Sequence, residues 1–369
     1  MMGPQIEFIG DTQALFEDQL WTFFAGNDYH RFSRHPEVVA ALIEATHRHG
    51  INSGGSRITT ANHALYLQLE EALASFLGVD AAHVCSAGYL SSTMLLQGIA
   101  RDFDSIFIDS VAHGSLMDAA LQSGLPITAF QHRDPEDLAC RLTESTNRAA
   151  RPLLLTDGVF ASTGDIAPLM AYATLLSPLG GRILVDDAHG VGTLGTAGRG
   201  THDELGVARD VIYQAGTLSK GLGGFGGFIA GARSDIDSIR SLSRSFKGST
   251  PMPLPIAAAS IRAIEILGRE PERITRLRYL AETVKPRLRD LGFRISEGVA
   301  PICSVTFLDA DKNRLLGASL REHGILPSFI DYPGSPPGGH YRFTLSSAHT
   351  DSQIESLCNA VALAVRRCQ

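Results

Sequence analysis

The chain of 369 residues has no CxxC pair, and its five cysteines (Cys85, Cys140, Cys303, Cys358, Cys368) are odd in number and scattered. A disulfide framework and a structural zinc site both want paired, regularly spaced thiols, so neither is expected. No apolar run approaches the roughly 18 residues that a membrane span needs. Basic charge is short as well. The 32 Lys and Arg stand against 39 Asp and Glu, a net charge of −7, whereas a nucleic-acid partner wants a basic face. The opening MMGPQIEFIGDTQALFEDQL carries acids where a secretory signal would place Lys or Arg before an apolar block. Internal repeats and low-complexity tracts are missing too. What is present is a globular composition, 44% hydrophobic and only 19% charged. The length allows two domains, each able to bury a core. The expectation is a soluble cytoplasmic enzyme with no nucleic-acid partner and no membrane span.

From about residue 82 to 230, short β-rich runs alternate with helical stretches. The runs are HVCSA, SIFID, ITAF, PLLLTD, RILVDD, DVIYQAG and GGFIAG, and helical patterns such as SSTMLLQGIARDF and SLMDAALQSG fall between most of them. Such alternation predicts an α/β fold, a mostly parallel sheet covered by helices on both faces. PLLLTD and RILVDD lack polar alternation, as strands buried on both sides do, and each ends in acids at the carboxyl edge where open α/β sheets bind ligands. KGSTPMPLP, with three prolines in nine residues, can be neither an ordinary helix nor a central strand. Beyond it, two long helical patterns lead to strand ICSVTFLD, helix NRLLGASLREHG, strand ILPSFID, loop YPGSPPGGH, strand YRFTLSSA and a last helix. That order predicts a smaller α+β domain.

Five segments carry chemistry. In GTLSKGLGGFGG (216–227), glycines around Lys220 let backbone approach a ligand. Lys220 reads as the lysine that forms a Schiff base with an aldehyde cofactor, with Thr217 and Ser219 hydroxyls for a phosphate; the bland reading is a surface lysine in a loop. In ILVDDAHGVGTLG, two adjacent acids at the end of a buried strand are costly unless one meets a cation, which a pyridinium nitrogen supplies. Asp186, Asp187 and His189 also admit a divalent-metal reading, although no further ligands accompany them. His113, in DSVAHGSLMDAAL, lies on a strand-to-helix loop where an imidazole can lie flat on an aromatic ring or simply cap the helix. In CSAGYLSS, Gly88 and Tyr89 open a helix whose amides suit phosphate. In YRFTLSSAHT, Arg342 offers a planar fork to a carboxylate, or forms a structural ion pair.

Together these segments resemble the α-oxoamine synthase family of fold-type-I pyridoxal-phosphate enzymes. The matching stretches are NDY with SRHPEVV, SGGSR, LEEALASFLG, SAGY, AHGSL, TDGVFASTGDIAPL, LVDDAHGVGTLGTAGRG, GTLSKGLGG, STPMP and RFTLSSAHT, which run in family order from about residue 26 to the C-terminus. The resemblance implies a large pyridoxal-phosphate domain over 46–250, a small α+β domain over 251–369, and a segment 1–45 packing with the small domain. It implies condensation of an amino acid with an acyl thioester, on CoA or a carrier protein, with loss of CO2 and no metal. It implies that Lys220 is the Schiff-base lysine, Asp186 the pyridinium partner, His189 a neighbour of the ring hydroxyl and His113 the stacking residue. Thr217, Gly88 and Tyr89 would hold the phosphate, and Asp157 occupies a position that is Glu or Asp in relatives. Ser249 and Thr250 match a pair that relatives contribute across a dimer interface, so a homodimer with shared sites is implied. Arg342 matches the arginine holding the substrate carboxylate, with Asn27 and Ser56 on the substrate side.

The chain departs from the family pattern at His30 and Arg31, where relatives have a small turn, at Tyr66, where they have histidine, and at Ala161, where they have serine. Within the family, the SGGSR and DDAHGVG runs favour a biotin-type synthase, and a synthase of a specialised pathway is the alternative. An aldolase or aminotransferase, or a silent partner subunit, are the more distant readings. The RFTLSSAHT and STPMP stretches speak against the first pair, and the retained Lys220 speaks against the last.

Overall fold

A computed structural model describes residues 5–144, 151–331, 336 and 338–369. The strands in chain order are β1 (Glu7–Phe8), β2 (Gln13–Phe16), β3 (Gln19–Thr22), β4 (Ala81–Cys85), β5 (Ser105–Asp109), β6 (Ile127–Phe130), β7 (Pro152–Asp157), β8 (Arg182–Asp186), β9 (Ile212–Thr217), β10 (Gly227–Gly231), β11 (Ile302–Val305), β12 (Phe329–Ile330) and β13 (His340–Thr344). The chain forms two compact units. One comprises residues 35–160 and 166–271, the other 1–34, 161–165 and 272–369.

The larger unit is built on a seven-stranded sheet in the order β4-β10-β9-β8-β7-β5-β6. Strands β5 to β9 in this sheet are mutually parallel, and β10 runs antiparallel to both β9 and β4. The carboxyl ends of β4, β5, β7, β8 and β9 therefore share one edge. Continuous apolar runs make these strands because both faces are covered. Ile106, Ile108, Leu153, Leu155 and Leu184 enter one core cluster, while Phe107, Leu154, Ile183 and Val185 enter the cluster on the opposite face. Helix Ser91–Ile99 crosses helix Arg233–Leu242 closely, since a Cβ on Gly98 would lie 2.6 Å from Ile239 Cγ1.

The smaller unit holds the meander β1-β2-β3 and the antiparallel sheet β11-β13-β12. Tyr341 and Phe343 of β13 join Cys303 and Val305 of β11 in a core with helices Glu272–Asp290, Ala310–Glu322 and Asp351–Cys368. The last helix opens with a capping box between Thr350 and Gln353. The strand expected over ILPSFID narrows to Phe329–Ile330, because Pro327 has no N–H to give a ladder. The loop expected at YPGSPPGGH falls largely outside the described residues. Among the described residues, no helix is long and apolar enough to cross a membrane.

Candidate active site

The acids that end β7 and β8 stand side by side. Asp157 and Asp186 are register partners on adjacent parallel strands, and both are buried. Burial and the neighbouring Asp186 carboxylate push Asp157 well above the usual carboxylate range, against the pull of the His113 backbone N–H and the Lys220 ammonium. Asp157 Oδ2 accepts the His113 backbone N–H at 2.8 Å. Asp186 Oδ1 accepts from Ala188 N at 3.1 Å, and its Oδ2 lies 3.4 Å from the Ser115 hydroxyl.

Lys220 follows β9 by three residues, and its Nζ lies 2.8 Å from His189 Nε2. His189 is itself buried, three residues beyond the end of β8. Two glycine-permitted contacts shape this region. Gly192 (φ +80°) packs against Gly221, where a Cβ would come within 2.9 Å of its Cα. Gly88 packs on Thr217, where a Cβ would sit 2.7 Å from Thr217 Cβ and 2.8 Å from its Oγ1. Thr217 Oγ1 is in turn 2.8 Å from Ser219 Oγ and donates to Gly226 O at 2.8 Å.

His113 realises its capping role. It is the N-cap of helix Gly114–Ser123, and its Nδ1 accepts from Ser115 N at 3.2 Å. Tyr89 stands edge-on to it, ring centroids 6.0 Å apart, and its hydroxyl donates to Asp118 Oδ2 at 2.6 Å, which pushes that phenol's pKa up. The second acid of the DD pair is engaged elsewhere. Asp187 accepts from Thr201 Oγ1 at 2.6 Å and from Gln214 Nε2 at 2.7 Å, so the three groups of the metal reading do not converge on one point.

Lys220, His189, Asp186, Asp157, His113, Gly88, Tyr89 and Thr217 thus gather at the carboxyl edge of one sheet. The remaining candidates make other contacts. Ser249 donates to Ser245 O at 2.5 Å and Thr250 is exposed, and among the described residues neither shares a hydrogen bond with the cluster. Ser56 donates to Lys247 O at 3.1 Å. Arg342 and Asn27 belong to the smaller unit. There Arg342 Nη1 donates to Ala161 O at 3.3 Å, while its Nε and Asn27 Oδ1 are buried with no hydrogen-bond partner among the described residues.

Two of the family departures, Tyr66 and His30, make local side-chain contacts. Tyr66 is fully buried, donates to Met252 O at 2.6 Å and receives the Arg57 guanidinium 5.1 Å from its ring centre. His30 lies 3.1 Å from Ser347 Oγ, and Arg31 adopts φ 56°. Ser115 and Asp118 are site residues that the motifs did not single out. Their signal was positional only, a hydroxyl two residues and an acid five residues after the capping histidine.

The sequence matches the family model for aminotransferase class I and II over residues 21–361. The chain belongs to that family. An 8-amino-7-oxononanoate synthase of Pseudomonas putida is 33% identical over 97% of this chain and 92% of its own length. Among solved structures, a Sphingomonas wittichii serine palmitoyltransferase matches with TM-score 0.90 at 28% identity, covering 98% of this chain and 91% of that one. A serine palmitoyltransferase structure with PLP matches with TM-score 0.90 at 26% identity, covering 98% and 92%. Both named activities place the family member in its α-oxoamine synthase branch.

Proposed function

We propose that this chain condenses an amino acid with an acyl thioester, releasing the thiol and CO2 and giving an α-amino ketone, as 8-amino-7-oxononanoate synthases do. Its cofactor is pyridoxal 5′-phosphate. The residues present fit that group. Two buried carboxylates side by side call for a cation, which a protonated ring nitrogen provides, and the close packing of Gly88 on Thr217 gathers backbone with the Thr217 and Ser219 hydroxyls, groups of the kind that hold a phosphate. When bound, the cofactor supplies an electron-accepting ring that lets a proton leave the substrate α-carbon.

The chain's own residues do the rest. Asp186 would stand at the ring nitrogen and keep it protonated. Lys220 Nζ, held at 2.8 Å by His189, would tether the cofactor and then take the α-proton. His113 would cover one ring face. Gly88, Tyr89, Thr217 and Ser219 would hold the phosphate, with Ser249 and Thr250 supplied by a second copy in a homodimer. Arg342, Asn27 and Ser56 would orient the amino acid. We place the enzyme in the cytoplasm.

The observation that carries this reading is the convergence of one amine, Lys220, with His189 and the Asp157–Asp186 pair. The test is product mass spectrometry with alanine, glycine and serine against acyl thioesters of graded length, on CoA and on carrier protein. Product from alanine and a pimeloyl thioester is expected. The serine palmitoyltransferase matches support a second reading, which serine with a long acyl chain as the sole productive pair would establish. No thiol release with any pair overturns both.

A further inference from the structure

Ser115 sits two residues after the capping histidine, buried, in the first turn of helix Gly114–Ser123. Its Oγ lies 2.7 Å from His113 Nδ1 and 3.4 Å from Asp186 Oδ2. Its backbone N–H already donates to the same Nδ1 at 3.2 Å. A ring nitrogen that accepts an N–H carries no proton, so the imidazole proton is on Nε2. The serine hydroxyl then faces two acceptors with one proton. At 2.7 Å, an unprotonated nitrogen and an oxygen lone pair would repel, so the proton goes to Nδ1 and the Asp186 contact is the secondary one.

We propose that Ser115 is a positioning residue for the reaction, joining the His113 ring to Asp186 and fixing both the plane of that ring and its Nε2–H tautomer. With two donors on Nδ1, a flip of the imidazole about its Cβ–Cγ bond forfeits two hydrogen bonds at once. With the Asp157 carboxylate holding the His113 backbone N–H at 2.8 Å, the ring is anchored at main chain and side chain by groups that descend from both acidic strand ends. The inference uses the roles of His113 and Asp186 from the proposed function, but its tautomer part stands on the apoprotein alone.

Ser115→Ala keeps the backbone cap and removes only the hydroxyl, and a melting curve would verify that it folds. Nitrogen-15 spectra of histidine-labelled apoprotein read the tautomer directly, with the His113 signals identified as those lost in His113→Gln. An unprotonated Nδ1 in the wild type, shifted in Ser115→Ala and restored in Ser115→Thr, is the expected result; a protonated Nδ1, or no change in Ser115→Ala, overturns the proposal. In protein loaded with pyridoxal phosphate, Ser115→Ala should move the cofactor absorbance maximum and weaken cofactor binding about tenfold, with kcat falling more than the KM for the amino acid changes. Wild-type absorbance, affinity and kcat in that variant would overturn the functional half. Failure of the wild type to bind the cofactor at all would instead sink the proposed function and leave the tautomer result standing.

Discussion

Lysine is rare in this chain, at positions 220, 247, 285 and 312, and that rarity makes the tether testable. Lys285 is buried and donates to Ser296 Oγ and Gly298 O, both at 3.0 Å, while Lys247 and Lys312 are exposed. Borohydride treatment of cofactor-loaded protein should therefore label the Lys220 peptide alone, and label spread over Lys247 and Lys312 would refute the assignment. Gly88→Ala puts a methyl against the Thr217 side chain and should weaken cofactor affinity at least about tenfold, equivalent to ~1.4 kcal/mol; unchanged affinity in a titration of apoprotein would show that Gly88 is not part of the cradle. Lys220, Asp186 and His189 were legible in the sequence because Asp186 ends a buried apolar strand and the other two stand in the glycine-rich runs that follow β8 and β9. Ser115 was not, since a serine early in a helix is common and the carboxylate it meets is 71 positions away.

A buried ion cluster ties three elements of the larger unit together. Glu70, on helix Ala64–Leu77, receives both Arg57 Nη1 at 2.5 Å and Nη2 at 3.1 Å, Arg240 Nη2 at 2.9 Å from helix Arg233–Leu242, and the Val84 backbone N–H of β4 at 3.1 Å. His83 Nδ1 is 3.0 Å from Glu70 Oε1. Burial alone would raise the Glu70 pKa; His83 and Arg57 override it and bring the group down to about 2. A depressed carboxylate stabilises the fold above its unfolded pKa of roughly 4.3 and loses that contribution as pH falls toward 2. Urea midpoints should accordingly drop over this window in the wild type and far less in Glu70→Gln, which should already be about 3 kcal/mol less stable at pH 7. Parallel slopes for the two proteins would exclude the cluster as the cause. Gly98→Ala, forced against Ile239, should cost about 1–3 kcal/mol in the same assay. The central strands were readable from their unbroken apolar runs. The meander β1-β2-β3 was not, because two- and four-residue strands with exposed ends, such as Glu7–Phe8, carry too little alternation to register.

At the scale of the whole molecule, the proposed sharing of sites between two copies makes a strict forecast. Lys220→Ala chains and chains carrying Ser249→Ala with Thr250→Ala should each be weak or inactive alone. A mixed pair has one doubly damaged site and one intact site, so mixing should restore turnover in proportion to the heterodimer formed. No recovery on mixing, with dimers verified by sedimentation, would mean that each copy supplies its own Ser249 and Thr250. Chain tracing adds a different constraint. The backbone passes between the two compact units after residues 34, 160, 165 and 271, the middle pair bracketing a loan of five residues, Ala161–Asp165. Gly164 of that loan lies so close to Ile302 that no Cβ would fit between them. A protease that nicks one crossing leaves the halves still threaded together. Expressing 272–369 as a contiguous fragment would yield an orphan that lacks both its amino-terminal strands and the borrowed pentapeptide, so the smaller unit is heritable only as part of the full chain.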